Sequence, residues 1–210
     1  MTRQRVTTRA ITLLAVTLVL LGLWQTGSGA WIYVKAKLAQ VLLQRAWAGT
    51  LAGQRDVKPW PWADTWPVAR LVVQGLGIDQ IVLAGALGRT LAFGPGRLES
   101  GRSAKDGGTM ILTGHRDTHF QFLEKLHGGE SLLLQTQTGT WHRFTVRDGQ
   151  IVDSRTASIR TDEGGRHLIL VTCYPFRTLT PNQTLRYVVT ADRDRVFSNP
   201  EMSLSDGLRI

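Results

Sequence analysis

Three side chains in this sequence have types that could cooperate in acyl transfer: Cys173, His115 and Arg186. Cys173 is the only cysteine among 210 residues, so an intramolecular disulfide and a multi-cysteine zinc site are both excluded. The thiol is therefore either a small buried hydrophobe or a group kept for its reactivity. A thiol of ordinary pKa, about 8.5, is mostly protonated at neutral pH; an imidazole beside it can take that proton and later return it to a leaving group. A guanidinium is always charged and presents a fork of donors, which suits it to an oxyanion or to a substrate carbonyl.

The surrounding sequence tells how these side chains are presented. Cys173 follows the apolar run HLILVT and precedes Tyr174-Pro175, where proline ends ladder pairing, so the thiol belongs at a strand end. His115 holds the equivalent place after TMILTG, with Gly114 allowing close backbone approach before it. Arg186 lies in TLRYVV, on the face opposite Leu185 and Tyr187 by period-two alternation. Taken one at a time, a strand cysteine is commonly packing, a histidine after glycine is commonly exposed, and a strand arginine is commonly solvated. His115 and His119, four apart, could also join Cys173 as zinc ligands, although no carboxylate at HExxH spacing accompanies them. His127, His142 and His167 lie beside turns or strand starts and are expected to face solvent.

The elements that must position these groups begin near Pro67. From there the runs are short and punctuated by turn residues, as in an all-β fold. Strands are expected over 68–73 and 78–83 around Gly75-Leu76-Gly77, then over 109–113, 131–137, 141–152, 168–172 and 184–190, with a hairpin turn at 137–140. Phe122, Leu123 and Leu126 at helical spacing, ending before Gly128-Gly129, predict a short helix over 119–127. Seven or so strands and one short helix imply a closed or nearly closed barrel.

The amino-terminal third reads differently. Arg3, Arg5 and Arg9 precede an almost wholly apolar run from Ala10 to Trp24, which the neutral stretch to Val34 extends to the length of a membrane-spanning helix. The Gly27-Ser28-Gly29-Ala30 cluster also resembles a signal-peptide cleavage site, but the length of the run and the set Trp24, Trp31 and Tyr33 favour an uncleaved anchor. Basic residues before the span place the amino terminus in the cytoplasm and the rest outside. Over 36–50, Leu38, Val41, Leu42, Arg45 and Trp47 at helical spacing predict an amphipathic helix. In KPWPWADTWP, residues 58–67, three prolines bar a regular helix and three tryptophans suit a clamp on the domain or a membrane-interface contact, the clamp being favoured. The expected organisation is an anchor over 1–34, a helical and Trp/Pro-rich linker over 35–66, and a catalytic domain over 67–210.

The formal charge of +9 is compatible with nucleic acid, anionic lipid or an anionic envelope. The basic residues are scattered through strand-like runs without the interleaved aromatics of a nucleic-acid surface, so no nucleic-acid partner is expected.

At the same residues the chain resembles the sortase family. Thr113-Gly114-His115-Arg116-Asp117-Thr118-His119-Phe120 with Phe122-Leu123 and Leu126 resembles the family's histidine motif, Val171-Thr172-Cys173-Tyr174-Pro175-Phe176 its cysteine motif, and Leu185 to Val189 its arginine strand. Gly94-Pro95-Gly96 and Gly107-Gly108 resemble landmarks ahead of the histidine strand. Three positions depart from the commoner pattern: Arg97, Thr109 and Val171. The tryptophan-rich linker and chain size look similar to the proteobacterial class GN branch.

That resemblance implies a mainly β, eight-stranded closed barrel and a membrane-anchored cysteine transpeptidase with His115, Cys173 and Arg186 as catalytic residues. It implies a surface-protein partner whose carboxy-terminal sorting signal is cut at a Thr-Gly-type bond, a thioacyl intermediate on Cys173, an amine acceptor, and membrane lipid around the amino-terminal helix. No cofactor and no metal are expected, and no acidic cluster argues for calcium. The implied location is the inner membrane, single-pass, with a periplasmic catalytic domain. The competing readings are a tethered binding module that keeps such a barrel without chemistry, and an L,D-transpeptidase, whose His and Cys lie in one compact motif rather than far apart as here.

Overall fold

The computed structural model describes residues 2–98, 109–158, 167–178 and 184–194; for residues 2–12, 30 and 32 it describes the backbone alone. The chain divides into two compact units at Val41/Leu42.

Helix α1 runs without a break over Thr2–Leu51, so the segments expected as an anchor and as an amphipathic helix form one helix. In the first unit its apolar side chains from Leu13 to Trp24 lie open, and it holds an 18-residue window of mean hydropathy 1.5, long and apolar enough to cross a membrane. Thr17, Thr26 and Ser28 each donate their hydroxyl to the carbonyl four residues back, on Leu13, Gly22 and Trp24. That bonding satisfies the polar groups within the helix itself, as an apolar solvent requires. Lys35 and Lys37 then reach over the Trp31 and Tyr33 rings, at 5.7 and 5.4 Å from the ring centres.

The second unit is a closed barrel of eight strands in the spatial order β1-β2-β3-β4-β7-β8-β6-β5. The strands are β1 Pro67–Val73, β2 Ile78–Ala84, β3 Gly96–Leu98, β4 Met110–Thr113, β5 Ser131–Thr136, β6 Trp141–Asp153, β7 His167–Cys173 and β8 Leu185–Arg193. Closure gives each of the eight strands a neighbour on both sides. All neighbours run antiparallel except β2 with β3 and β4 with β7. Alternate residues fill the interior: Leu71, Val73, Val82, Leu112, Leu132, Leu134, Leu168, Leu170, Val189 and Ala191 form one core, sealed by Phe120, Phe122, Leu123 and Leu126.

Seven of the eight strands fall where the sequence predicts them, within a few residues. β3 is the addition. At three residues it is too short to show alternation, and its position is set by packing: a Cβ on Gly96 would collide with the Gly85 carbonyl, and one on Gly94 would stand 2.7 Å from the Ile81 carbonyl. The expected helix over 119–127 is a tighter 3-10 turn, Gln121–Lys125.

The helical segment 36–50 buries a stripe that shares only Trp47 with the one predicted. Leu38 and Val41 are exposed, whereas Leu43 and Trp47 pack on Ile81, Leu83 and Phe93, with Ala46 and Thr50 also buried. Leu43, Ala46, Trp47 and Thr50 follow the i, i+3, i+4, i+7 rule, and the helix has enough apolar residues for two such stripes. In the Trp/Pro segment, Trp60 meets Phe93 edge to face at 4.9 Å and Trp66 packs on the barrel core, while Trp62 stays 82% exposed. Thr65 donates its hydroxyl to the Ala84 carbonyl, and Ala84 N–H donates to Trp66. The segment thus clamps the domain through two of its three tryptophans.

Candidate active site

Strand register decides which side chains meet. Cys173, the last residue of β7, is the direct antiparallel partner of Arg186 on β8. On the other flank β4 runs parallel to β7, with Thr113 paired to Val171. Two residues beyond those last partners stand His115 and Cys173. The extension is held by two bonds: Gly114 N–H donates to the Val171 carbonyl at 3.3 Å, and the buried Thr172 hydroxyl donates to the Gly114 carbonyl at 2.7 Å.

Alternation fixes the face. Leu112, Leu168, Leu170, Val189 and Ala191 point into the core. Cys173 and Arg186 have the opposite parity and belong to the outer face of β7 and β8, while His115 follows the end of β4 by two residues. Cys173 is a free, half-buried thiol, Arg186 is half-buried, and His115 is exposed. Arg186 Nη1 donates to the Leu185 carbonyl at 2.9 Å, and the same carbonyl accepts the Tyr174 N–H at 3.0 Å.

The loop that carries His115 is shaped from below. Phe120 is fully buried, and its N–H donates to the His115 carbonyl at 2.9 Å. A Cβ on Gly114 would stand 2.9 Å from the Phe120 ring, so only glycine lets the ring pass under the histidine. On the other side Tyr174, Phe176 and Tyr187 form an aromatic cluster, Tyr174 stacked on Tyr187 and Phe176 meeting it edge-on at 5.3 Å. Tyr187 lies over Gly149, where a Cβ would collide with its hydroxyl.

The other histidines divide. Burial holds His119 below the ordinary imidazole range; a hydrogen bond to the Ala92 carbonyl opposes this and the nearby His115 adds to it. Among the described residues no cluster of three His, Cys, Asp or Glu side chains is arranged to hold a metal, so the zinc set of His115, His119 and Cys173 is not assembled. His127 is exposed, as expected. His142 and His167 are engaged rather than simply solvated: His142 Nδ1 accepts from Arg193 at 2.6 Å, and His167 Nδ1 lies 2.6 Å from Asp192. Their partners are β8 residues distant in the chain, and this cross-strand pairing has no signature in local sequence.

Sequence reasoning did not single out Arg116, directly after His115. Its side chain is 14% exposed; Nη1 donates to the Pro175 carbonyl at 3.0 Å, Nη2 to Thr178 at 3.1 Å, and Nε faces Asp117 at 3.4 Å. An arginine beside an Asp in a polar loop gives no sign of such a burial. Thr172, legible as a motif letter, has a physical task that emerges only with the fold.

This is a mainly β protein with a closed barrel whose one thiol sits at a strand end between a histidine loop and a cross-strand arginine. Residues 71–194 match the family model described as Sortase domain, more than half of the chain, and the chain belongs to the sortase family. Sortase D of Bacillus subtilis (strain 168) is 31% identical over 124 residues, which cover 59% of this chain and 62% of that protein; the match thus spans less than two thirds of the relative's length. Among solved structures, sortase C-1 of Actinomyces oris is 26% identical, covering 62% of this chain and 74% of its own, with a TM-score of 0.53. Sortase A of Corynebacterium diphtheriae shares the fold at 17% identity, covering 81% and 88%, with a TM-score of 0.57.

Proposed function

We propose that this chain is a membrane-anchored cysteine transpeptidase in which Cys173 is the nucleophile, His115 the general acid and base, and Arg186 the oxyanion donor. The observation that carries the reading is the cross-strand pairing of Cys173 with Arg186, beside a β4 extension that brings His115 alongside β7. A Clostridium perfringens sortase C of the same fold was solved with the C-terminal cell wall sorting motif; at 16% identity, 77% and 90% coverage and a TM-score of 0.55, it motivates a sorting-signal peptide as the substrate to try.

The Cys173 thiolate attacks the carbonyl carbon of the scissile peptide bond, and the carbonyl pair becomes an oxyanion that accepts hydrogen bonds from Arg186. Collapse breaks the C–N bond, the leaving amine takes a proton from the His115 imidazolium, and the acyl group remains on sulfur as a thioester. An acceptor amine then attacks, gives its proton to His115, and expels the thiolate as the new amide forms. Helix α1 holds the enzyme in the bilayer, with the barrel on the extracytoplasmic side. The tryptophan-rich linker and the chain size, which look similar to the class GN branch, support assigning the chain to it as part of this reading.

The test uses the full chain in detergent micelles with a sorting-signal peptide and an amine. A mass increase on Cys173 equal to the acyl portion, absent in Cys173→Ala, is expected. Peptide turnover that survives Cys173→Ala would discard the proposal. Peptide bound without any adduct would indicate a binding module instead.

A further inference from the structure

We infer that Arg116 is a positioning residue that sets the approach of His115 to Cys173 by tying together the two segments that follow them; this rests on the catalytic pair proposed above. All three faces of the guanidinium are used. Nη1 and Nη2 donate to Pro175 and Thr178, two carbonyls of the loop leaving Cys173, and Nε faces Asp117. The residue after the histidine thereby grips the chain two and five residues after the cysteine.

The bonds are of a kind that fixes distance. Charge-assisted donors to carbonyls are stronger than neutral ones, and a planar fork that reaches two acceptors restrains orientation as well as separation. Burial raises their worth, because an arginine only 14% exposed that lost these acceptors would be left poorly solvated. A further link, from Arg177 to Glu124 at 3.3 Å, is different: Arg177 is 84% exposed, and such a pair is weak and salt-screened.

Besides Arg116, the bonds around His115 hold its backbone: Gly114 is bonded to Val171 and Thr172, and Phe120 N–H donates to the His115 carbonyl. β4 stops at Thr113, and past Gly114 the chain enters a turn. Proton transfer between imidazole and sulfur is steep in distance, so a restraint one residue beyond the histidine acts on the rate of chemistry rather than on substrate affinity.

The variants are Arg116→Lys, which keeps the charge and loses the fork, and Arg116→Met, with Arg177→Met as the exposed control. The first readout needs no substrate: the pH profile for alkylation of Cys173 by iodoacetamide in the full chain, compared with wild type and His115→Ala. Both Arg116 variants should move from the wild-type profile toward that of His115→Ala, and Arg177→Met should stay on the wild-type curve. The second readout is turnover of the sorting-signal peptide, where Arg116→Lys should lower kcat by about 10- to 100-fold with KM within about threefold. Arg116→Lys gives a folded comparator, verified by its melting curve, should the methionine variant fail to fold.

An Arg116→Lys protein with the wild-type alkylation profile would overturn the inference, as would coincident profiles for wild type and His115→Ala. Loss confined to KM would overturn it too. If the alkylation profiles shift as expected but wild type turns over no peptide, the transpeptidase reading fails and the strap stands. If wild type turns over peptide and both Arg116 variants match it, the strap alone fails.

Discussion

At the scale of single residues, Cys173 and Arg186 are partners on one rung of a sheet, and Arg186 Nη1 is tied back to the Leu185 carbonyl, so backbone pairing and that bond together restrain the guanidinium. Its donors should then be rigid relative to the sulfur, and removing them should cost transition-state binding. Arg186→Gln is expected to lower kcat by about 100- to 1,000-fold, in the range found when one oxyanion donor is lost. Arg186→Lys, which keeps the charge without the fork, should recover part of that. Steady-state kinetics on a sorting-signal peptide checks both, and a loss seen only in KM would assign Arg186 to substrate binding. The three residues proposed for the chemistry were picked out together by the motifs that resemble the sortase family; taken one at a time, each had an ordinary structural reading. Arg116 was not picked out, since its acceptors at Pro175 and Thr178 are backbone carbonyls about sixty positions away, and any residue supplies a carbonyl.

At the scale of elements, two glycines hold the rims of the site in place by admitting an aromatic ring. Phe120 passes under Gly114, and Tyr187, next to Arg186, passes over Gly149. A methyl group at Gly114 overpacks against the fully buried Phe120 ring, which costs about 1–3 kcal/mol, whereas at Gly149 it meets the hydroxyl end of the half-buried Tyr187, which must shift aside. Gly114→Ala should therefore lower the melting temperature and activity together, because Phe120 and His115 share one turn. Gly149→Ala should displace Tyr187 and disturb its stacking with Tyr174, visible as altered tyrosine ring resonances or near-ultraviolet circular dichroism. Melting points and spectra equal to wild type in both variants would show that the rings can yield. Seven strands were readable because alternation over five or more residues, or an apolar run bounded by turn residues, is a local signal. β3 lacks that length, and the buried stripe at Leu43, Ala46, Trp47 and Thr50 had a competitor at Leu38, Val41, Leu42 and Arg45 that also runs through Trp47 and that local periodicity could not rank. Only the partner surface on Ile81, Leu83 and Phe93 decides between them.

At the scale of the whole molecule, stability should depend on two histidines that the fold keeps neutral. His119 is held below the ordinary imidazole range chiefly by burial, with the nearby His115 adding to it. His142 is lowered by burial and by Arg193, whose guanidinium donates to Nδ1 and so occupies the atom a proton would need. In the unfolded chain both return to a pKa of about 6.5, so below that pH the unfolded state binds more protons than the folded one. Stability from these groups is therefore fully present above about pH 6.5 and is lost as the pH falls from there toward their lower folded values. Every proton taken up also adds to a chain already at +9, which works in the same direction by self-repulsion. Melting curves of the full chain between about pH 8 and 5.5, above the range where carboxylates titrate, should show a falling midpoint. The double variant His119→Gln, His142→Gln should show a flatter dependence, with each single variant in between. A double variant that follows the wild-type slope would mean that both imidazoles take up protons in the folded state as readily as in the unfolded one, and burial at His119 and the Arg193 bond at His142 would then have no hold on the fold's response to acid.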